Sequence, residues 1–150
     1  MLRKSRRGKG AYLVETAAAV AFAVPLTVYA LCVGVEASQV WGISAGLQQA
    51  AREAARSLAT TFAVDPGIVS NASDQATYGF QPVISSGTLT NVVGDPSQFS
   101  AVFNTTTPAS VTVTVTYASG KFGLLPFPQF DPLFLGSNYP MQATATYTLE

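Results

Sequence analysis

The sequence predicts an α+β protein: a long membrane-spanning α-helix over about residues 11–62, followed by a small antiparallel β-sheet domain over 63–150. Three observations support this prediction. A charge-free apolar run extends from Thr16 to Val35. Apolar residues at helical spacing continue beyond that run to Phe62, and two later stretches alternate between apolar and polar residues.

The first ten residues are predicted to form a basic leader peptide. Five of the first nine residues are lysine or arginine, and only three more follow against eight acidic residues, so the net charge from Ala11 onward is −5. A cationic tip before an apolar segment stays on the cytoplasmic side of a membrane. We therefore expect a cytoplasmic N-terminus and an extracytoplasmic C-terminal domain. An acidic body without a basic surface also argues against a nucleic-acid partner.

The apolar run has the length of one bilayer crossing. Its 20 residues would span ~30 Å as a helix, which is the thickness of a hydrocarbon core. We assign residues 11–35 to the transmembrane part of the helix, in contact with membrane lipid. A cleaved secretory signal is the alternative, because Val35-Glu36-Ala37 is an acceptable small-residue cleavage site.

Residues 36–62 are predicted to form an extracytoplasmic amphipathic continuation of the same helix. Apolar residues recur there at steps of three and four, at Val40, Ile43, Leu47, Ala51, Ala54, Leu58 and Phe62. Arg52, Glu53 and Arg56 lie off this stripe, where they are either subunit contacts or simply solvated charges. The whole helix would be ~78 Å long, more than a small domain needs for its own core, which implies partner chains. Asp65-Pro66-Gly67 predicts its end.

Pro25 lies inside the apolar run. A proline ring removes one backbone hydrogen bond, here to the carbonyl of Ala21, and crowds that oxygen. We therefore expect a helix kink or a locally unwound turn at Pro25. Membrane helices tolerate proline, so this feature also has an interpretation without function.

The C-terminal half has the period of β-strands. Residues 110–117 and 141–149 alternate between an apolar face and a threonine-rich face, and residues 78–84 and 99–103 are weaker strand candidates. The connection 120–140 contains eight phenylalanine and leucine residues among four prolines. Because loops normally run over the surface, this segment either completes a small core or forms an interface with another subunit or the membrane.

The composition argues against an enzyme. Histidine is absent and Cys32 is the single cysteine, which leaves no disulfide, zinc site or Cys/His nucleophile pair. The sequence also contains no evident nucleophile–base pair or phosphate-binding glycine loop. We therefore expect no catalytic residue, no cofactor, no metal site and no small-molecule substrate.

The order of these features resembles a known family. The segment RRGKGAYLVETAAAVAFAVPL, Arg6 to Leu26, resembles the basic tip, glutamate and proline-containing apolar helix of TadE-like pseudopilins from the tight-adherence pilus system, which is related to type IV pili. QQAAREAARSLA, Gln48 to Ala59, is similar to the alanine-rich helix of that family, and the closing YPMQATATYTLE is similar to its last strand. The resemblance implies a pilin-like fold in the bacterial inner membrane and a role in filament assembly and cell adhesion.

The resemblance also implies a processing site. A prepilin peptidase would cut after Gly10, on the cytoplasmic side, and leave Ala11 as the new N-terminus. Gly8 is a competing point, but it places Glu15 at mature position seven instead of five. Thr16 stands where major pilins usually carry tyrosine, and the 140 residues after Gly10 exceed the length of a major pilin. Both departures favour a minor pilin or pseudopilin over the main filament subunit.

Glu15 is the candidate residue for setting register between subunits. In a stack of parallel helices, the α-amine of Ala11 in one subunit can pair with the Glu15 carboxylate of its neighbour, because an unpaired charge among apolar helices is costly. Alternatively, Glu15 only complements the positive N-terminus of its own helix. For the whole chain, the alternative is an uncleaved single-span anchor that presents a small extracytoplasmic β binding module.

Overall fold

The computed structural model describes residues 7–85, 93–117 and 141–149. It has the predicted α+β layout, in which one long helix precedes a three-stranded antiparallel sheet. Leader residues 1–6 and the apolar connection 120–140 lie outside the described residues, so the predictions made for them stay predictions.

Helix α1 extends from Arg7 to Val64 and has 58 residues, which corresponds to ~87 Å. The single continuous helix predicted over about 11–62 is confirmed. It ends at the predicted stop, where the Asp65 side chain accepts a hydrogen bond of 2.9 Å from the Gly67 backbone N–H. Pro66 then occupies the first position of a 3-10 helix, Pro66–Ser70, where a missing N–H costs nothing.

Helix α1 continues through Pro25. Loss of one backbone bond leaves the other bonds of the ladder in place, and the chain stays helical on both sides of the proline. No turn is therefore unwound at Pro25, and a kink within the helix stays a prediction.

Short helical segments follow the 3-10 helix: α2 (Ala72–Gln75), a π-helical turn (Ala76–Phe80) and α3 (Gln81–Ser85). The weak strand prediction for residues 78–84 is therefore wrong. The apolar residues of this segment fit a helix as well as a strand, and its packing on α1 decides between the two.

Two contacts hold the π-helical turn against α1. The Ser57 hydroxyl donates a hydrogen bond to the carbonyl of Tyr78. Gly79 is buried there, and a Cβ in its place would lie 2.7 Å from the Phe99 ring and 3.1 Å from the Leu58 side chain. Only a residue without a side chain allows the turn to approach Leu58 and Phe99 so closely. Glycine at position 79 is therefore explained by packing in a helical segment.

The sheet contains β1 (Phe99–Asn104), β2 (Ser110–Thr116) and β3 (Gln142–Thr148) in the order β1-β2-β3. Both neighbouring pairs are antiparallel. Both clearly predicted strands and the weaker one at 99–103 are confirmed.

The two faces of the sheet differ as the alternation predicts. Val111, Val113 and Val115 of β2 are fully buried on the face toward α1. On the outer face, threonine hydroxyls pair across the strands, at 3.0 Å between Thr112 and Thr146 and at 3.2 Å between Thr114 and Thr144. The threonine-rich wet face is therefore confirmed for β2 and β3.

The core lies between the sheet and the second half of α1. Most of the predicted apolar stripe is buried, as are Ala50 and Ala55 beside it, and these small side chains let the sheet approach the helix closely. Val40 and Phe62, at the ends of the stripe, are half-buried. The packed body, as we call it below, comprises α1 from Ile43 onward, the short helices and the sheet. Its large buried side chains are Ile43, Leu47, Leu58, Ile68, Phe80, Val83, Val93, Val111, Val113, Val115 and Tyr117.

Candidate functional site

The first half of α1 is uncovered on every side. All side chains from Tyr12 to Leu31 are exposed, although most of them are apolar. In the part of the chain that the structure describes, α1 is the one helix long and apolar enough to cross a membrane. A helical segment that is apolar and exposed on all sides requires an apolar environment.

The two threonine hydroxyls of this segment are satisfied within the helix. Thr16 donates a hydrogen bond of 2.8 Å to the carbonyl of Tyr12, and Thr27 donates one of the same length to the carbonyl of Ala23. Polar groups in a lipid environment need such internal partners. The segment is therefore compatible with lipid despite its two threonines.

Gly10, Ala11 and Glu15, the predicted processing and register residues, share the first turns of α1. Gly10 is exposed, and a Cβ in its place would have no atom within 4 Å. Glu15 is exposed on the helix surface, one turn beyond Ala11. Because residues 7–64 are helical, the Gly10–Ala11 bond lies inside α1, and cleavage there requires this part of the helix to unwind locally.

The second half of α1 carries an open groove beside the sheet, which we call the arginine groove. Its volume is about 510 Å³, and it is lined by Ala45, Gln48, Gln49, Arg52, Glu53, Arg56 and Tyr147. The structure thus brings together all three residues that were predicted as subunit contacts.

The charges of the arginine groove lack partners within the described chain. Arg52 and Arg56 are exposed and one turn apart, a like-charge spacing that costs a few tenths of a kcal/mol on a helix. Glu53 lies three residues before Arg56, so this face carries charges of both signs. Within residues 7–85, 93–117 and 141–149, no hydrogen bond or ion pair joins these three side chains to another residue. They are free to meet solvent or another chain.

Tyr147 is a groove residue that the sequence did not reveal. The strand period placed it on the apolar face of the last strand, and its register opposite Val111 confirms that face. Its position beside the arginines follows only from the packing of β3 on α1. The sequence offered one clue to its role, the size of its side chain. Tyr147 is the one large residue on a face of β3 that otherwise carries alanine.

Gln98 is a second residue that gave no signal in the sequence. Its buried amide oxygen accepts hydrogen bonds of 2.9 Å from the backbone N–H groups of Gly94 and Asp95. Its amide nitrogen donates one of 2.9 Å to the carbonyl of Thr116, at the end of β2. Tyr117 follows Thr116 in the chain, and burial raises the pKa of its hydroxyl above its ordinary value. The hydrogen bonds of Gln98 thus join the segment before β1 to the end of β2.

Metal-binding groups are not clustered in the described chain. Among residues 7–85, 93–117 and 141–149, no group of three or more His, Cys, Asp or Glu side chains is placed to hold a metal ion. Cys32 is half-buried on α1 with a free thiol.

Comparison of the chain with protein families, with curated proteins and with solved structures finds no match. The class of protein is therefore described from its fold alone. It is an α+β protein whose N-terminal helix is long and apolar enough to cross a membrane, with a small antiparallel sheet packed on the continuation of that helix.

Proposed function

We propose that this chain is a TadE-like pseudopilin. In this proposal it is cleaved after Gly10, anchored in the bacterial inner membrane with its sheet outside, and assembled into a tight-adherence pilus through its N-terminal helix. One observation supports the proposal above all others. A single 58-residue helix is uncovered along its first half and packed on its own sheet along its second half.

The uncovered half needs a partner surface in every state of the protein. Before assembly, membrane lipid covers the apolar side chains from Tyr12 to Leu31. In a filament, the same side chains pack against parallel helices of other pilin or pseudopilin subunits, which supply an equally apolar surface. The arginine groove lies above this segment and provides a polar contact to a neighbouring subunit.

Glu15 sets the register in this proposal. Cleavage creates a positive α-amine on Ala11, which can pair with the Glu15 carboxylate of the adjacent subunit. Both groups lie at one end of an apolar helix, where a charge without a partner is unfavourable once neighbouring helices displace water. Only one axial offset between subunits brings the two groups together.

Replacing Glu15 tests this role directly. Glu15→Gln keeps the size of the side chain and removes its charge, so the variant is expected to insert and to be cleaved. Its assembly should fail, because breaking a buried ion pair costs ~3–5 kcal/mol. The measurement is the amount of the variant in sheared pili relative to the membrane fraction.

Glu36→Gln is the matched control, since Glu36 is the acid at the other end of the charge-free run. This variant is expected to assemble normally. If Glu15 only complements the helix N-terminus, its replacement costs under ~1 kcal/mol and leaves assembly intact. Normal incorporation of Glu15→Gln would therefore contradict the register role.

An uncleaved membrane anchor is the second candidate. The observation in its favour is that the Gly10–Ala11 bond lies in helical rather than extended backbone. In this case the helix holds the chain in the membrane, and the sheet acts as an extracytoplasmic binding module.

A further inference from the structure

Trp41 is an exposed aromatic residue just above the apolar run. It is the only tryptophan of the chain, and it is 80% exposed on the surface of α1. It follows the last residue of the charge-free run, Val35, by six positions. A ring with so large an apolar surface and a polar N–H prefers a boundary between apolar and wet surroundings.

The position of Trp41 matches the thickness of a whole bilayer. Tyr12, at the other end of the apolar run, is 71% exposed. The two rings are 29 residues apart on one continuous helix, which corresponds to ~44 Å. A bilayer with its headgroup layers is ~40–45 Å thick, and tyrosine and tryptophan concentrate at its two interfaces.

The acidic residues agree with this placement. A hydrocarbon core of ~30 Å centred between the two rings leaves ~7 Å at each end, or about five residues of helix. The edges of that core then fall next to Glu15 and Glu36, the two acids that flank the charge-free run. Both charges lie where headgroups and water begin.

Trp41 also lies on the open side of the helix. Partial burial follows one face of α1 through Cys32, Glu36 and Val40, and leads to the buried Ile43. Since each residue turns a helix by ~100°, Trp41 lies nearly opposite Ile43. The packed body therefore leaves this ring uncovered.

We propose that Trp41 is seated in the phospholipid headgroup layer on the extracytoplasmic side of the membrane. Ile43, the first buried residue of the packed body, is then only ~3 Å higher along the helix axis. The packed body consequently begins at the membrane surface, without a free stalk. This inference depends on the membrane span alone, and it holds whether or not the chain is cleaved or assembled into a pilus.

Fluorescence of the full-length chain in phosphatidylcholine vesicles tests the proposal, because all tryptophan emission comes from Trp41. Bromine atoms on the lipid chains near the headgroup should quench this emission more strongly than bromine atoms near the chain ends. Water-soluble acrylamide should quench it weakly, and the emission maximum should be shifted to the blue of tryptophan in water.

Two double variants calibrate the depth at exposed positions of α1. Trp41→Phe/Leu31→Trp moves the fluorophore ~15 Å toward the bilayer centre, so its emission should be quenched most by the deep bromine atoms. Trp41→Phe/Val64→Trp moves it ~35 Å outward to a position that is 87% exposed, which should restore acrylamide quenching and remove lipid quenching. Acrylamide quenching of Trp41 equal to that of the outward variant would overturn the proposal by placing the ring in water. Protection from both quenchers would overturn it by indicating a protein partner.

Discussion

The two halves of helix α1 have the same backbone and opposite surfaces. From Tyr12 to Leu31 the helix is apolar all round and wholly exposed. From Ile43 to Phe62 it is apolar on one face only, and that face is covered by the sheet and the short helices. The first half is therefore incomplete without lipid or other helices, whereas the second half completes its core within one chain.

The side chains show why the halves behave differently. The covered half contains a cluster of alanines, Ala50, Ala51, Ala54 and Ala55, all fully buried. These small residues bring the sheet close to the helix axis, where Val111, Val113 and Val115 fill the remaining space. The uncovered half also contains alanines, but its large side chains, such as Leu13, Phe22 and Leu26, are exposed and meet no matching surface among the described residues.

The largest contrast is expected for leucine truncation. Leu58→Ala removes a fully buried side chain of the packed body, which should lower its free energy of unfolding by ~2–5 kcal/mol. Leu26→Ala removes the same atoms from an exposed position of the first half, and we expect a change within ~0.5 kcal/mol. Amide hydrogen exchange of β2, measured on the full chain in detergent, reports this free energy. Equal effects of the two variants would show that the two halves do not differ in packing.

Much of this contrast was predictable from the sequence. The stripe from Ile43 to Leu58 and the alternation in residues 110–117 are each long enough to fix the period of their element. Residues 78–84 were misassigned because their few apolar residues fit both periods, and the helical form depends on the fit of Gly79 between Leu58 and Phe99.

The arginine groove was predictable only in part, because it also depends on packing between segments that are distant in the sequence. The helix period placed Arg52, Glu53 and Arg56 together on one polar face. Tyr147 joins them only because β3 pairs with β2 in a register that brings its last residues beside α1. Contacts between distant segments of this kind leave no local pattern. The buried amide of Gln98 is another example.

Alanine substitution of two glycines tests the same difference between packed and open surface. Gly79→Ala would place a methyl group 2.7 Å from the Phe99 ring, so we expect a loss of ~1–3 kcal/mol from the packed body. Gly42→Ala, on α1, meets nothing within 4 Å. Because alanine favours the helix, this control should stabilise the protein by up to ~1 kcal/mol. Hydrogen exchange of β2 again supplies the measurement, and a stabilising Gly79→Ala would contradict the packing described for the π-helical turn.

The smallest effect is expected in the arginine groove. Arg52→Glu/Arg56→Glu should change the free energy of unfolding by less than ~0.5 kcal/mol, since both side chains are exposed. If the groove binds a neighbouring subunit, the charge reversal should weaken that binding by up to ~1 kcal/mol per exposed charge pair. The weaker binding would be seen as reduced co-purification of partner pilins. Arg52→Lys/Arg56→Lys keeps the charges and serves as the control. Unchanged co-purification of the reversed variant would identify the groove as a solvated face.

The mature N-terminus tests the central claim most directly. Intact-mass and N-terminal peptide mass spectrometry of the membrane-extracted protein should show a chain that begins at Ala11, with residues 1–10 removed. Gly10→Leu, which the exposed helix surface accommodates without a clash, should instead retain the leader and stay unassembled in the inner membrane. A wild-type chain that keeps its leader through Gly10 would contradict the pseudopilin account and favour the uncleaved anchor.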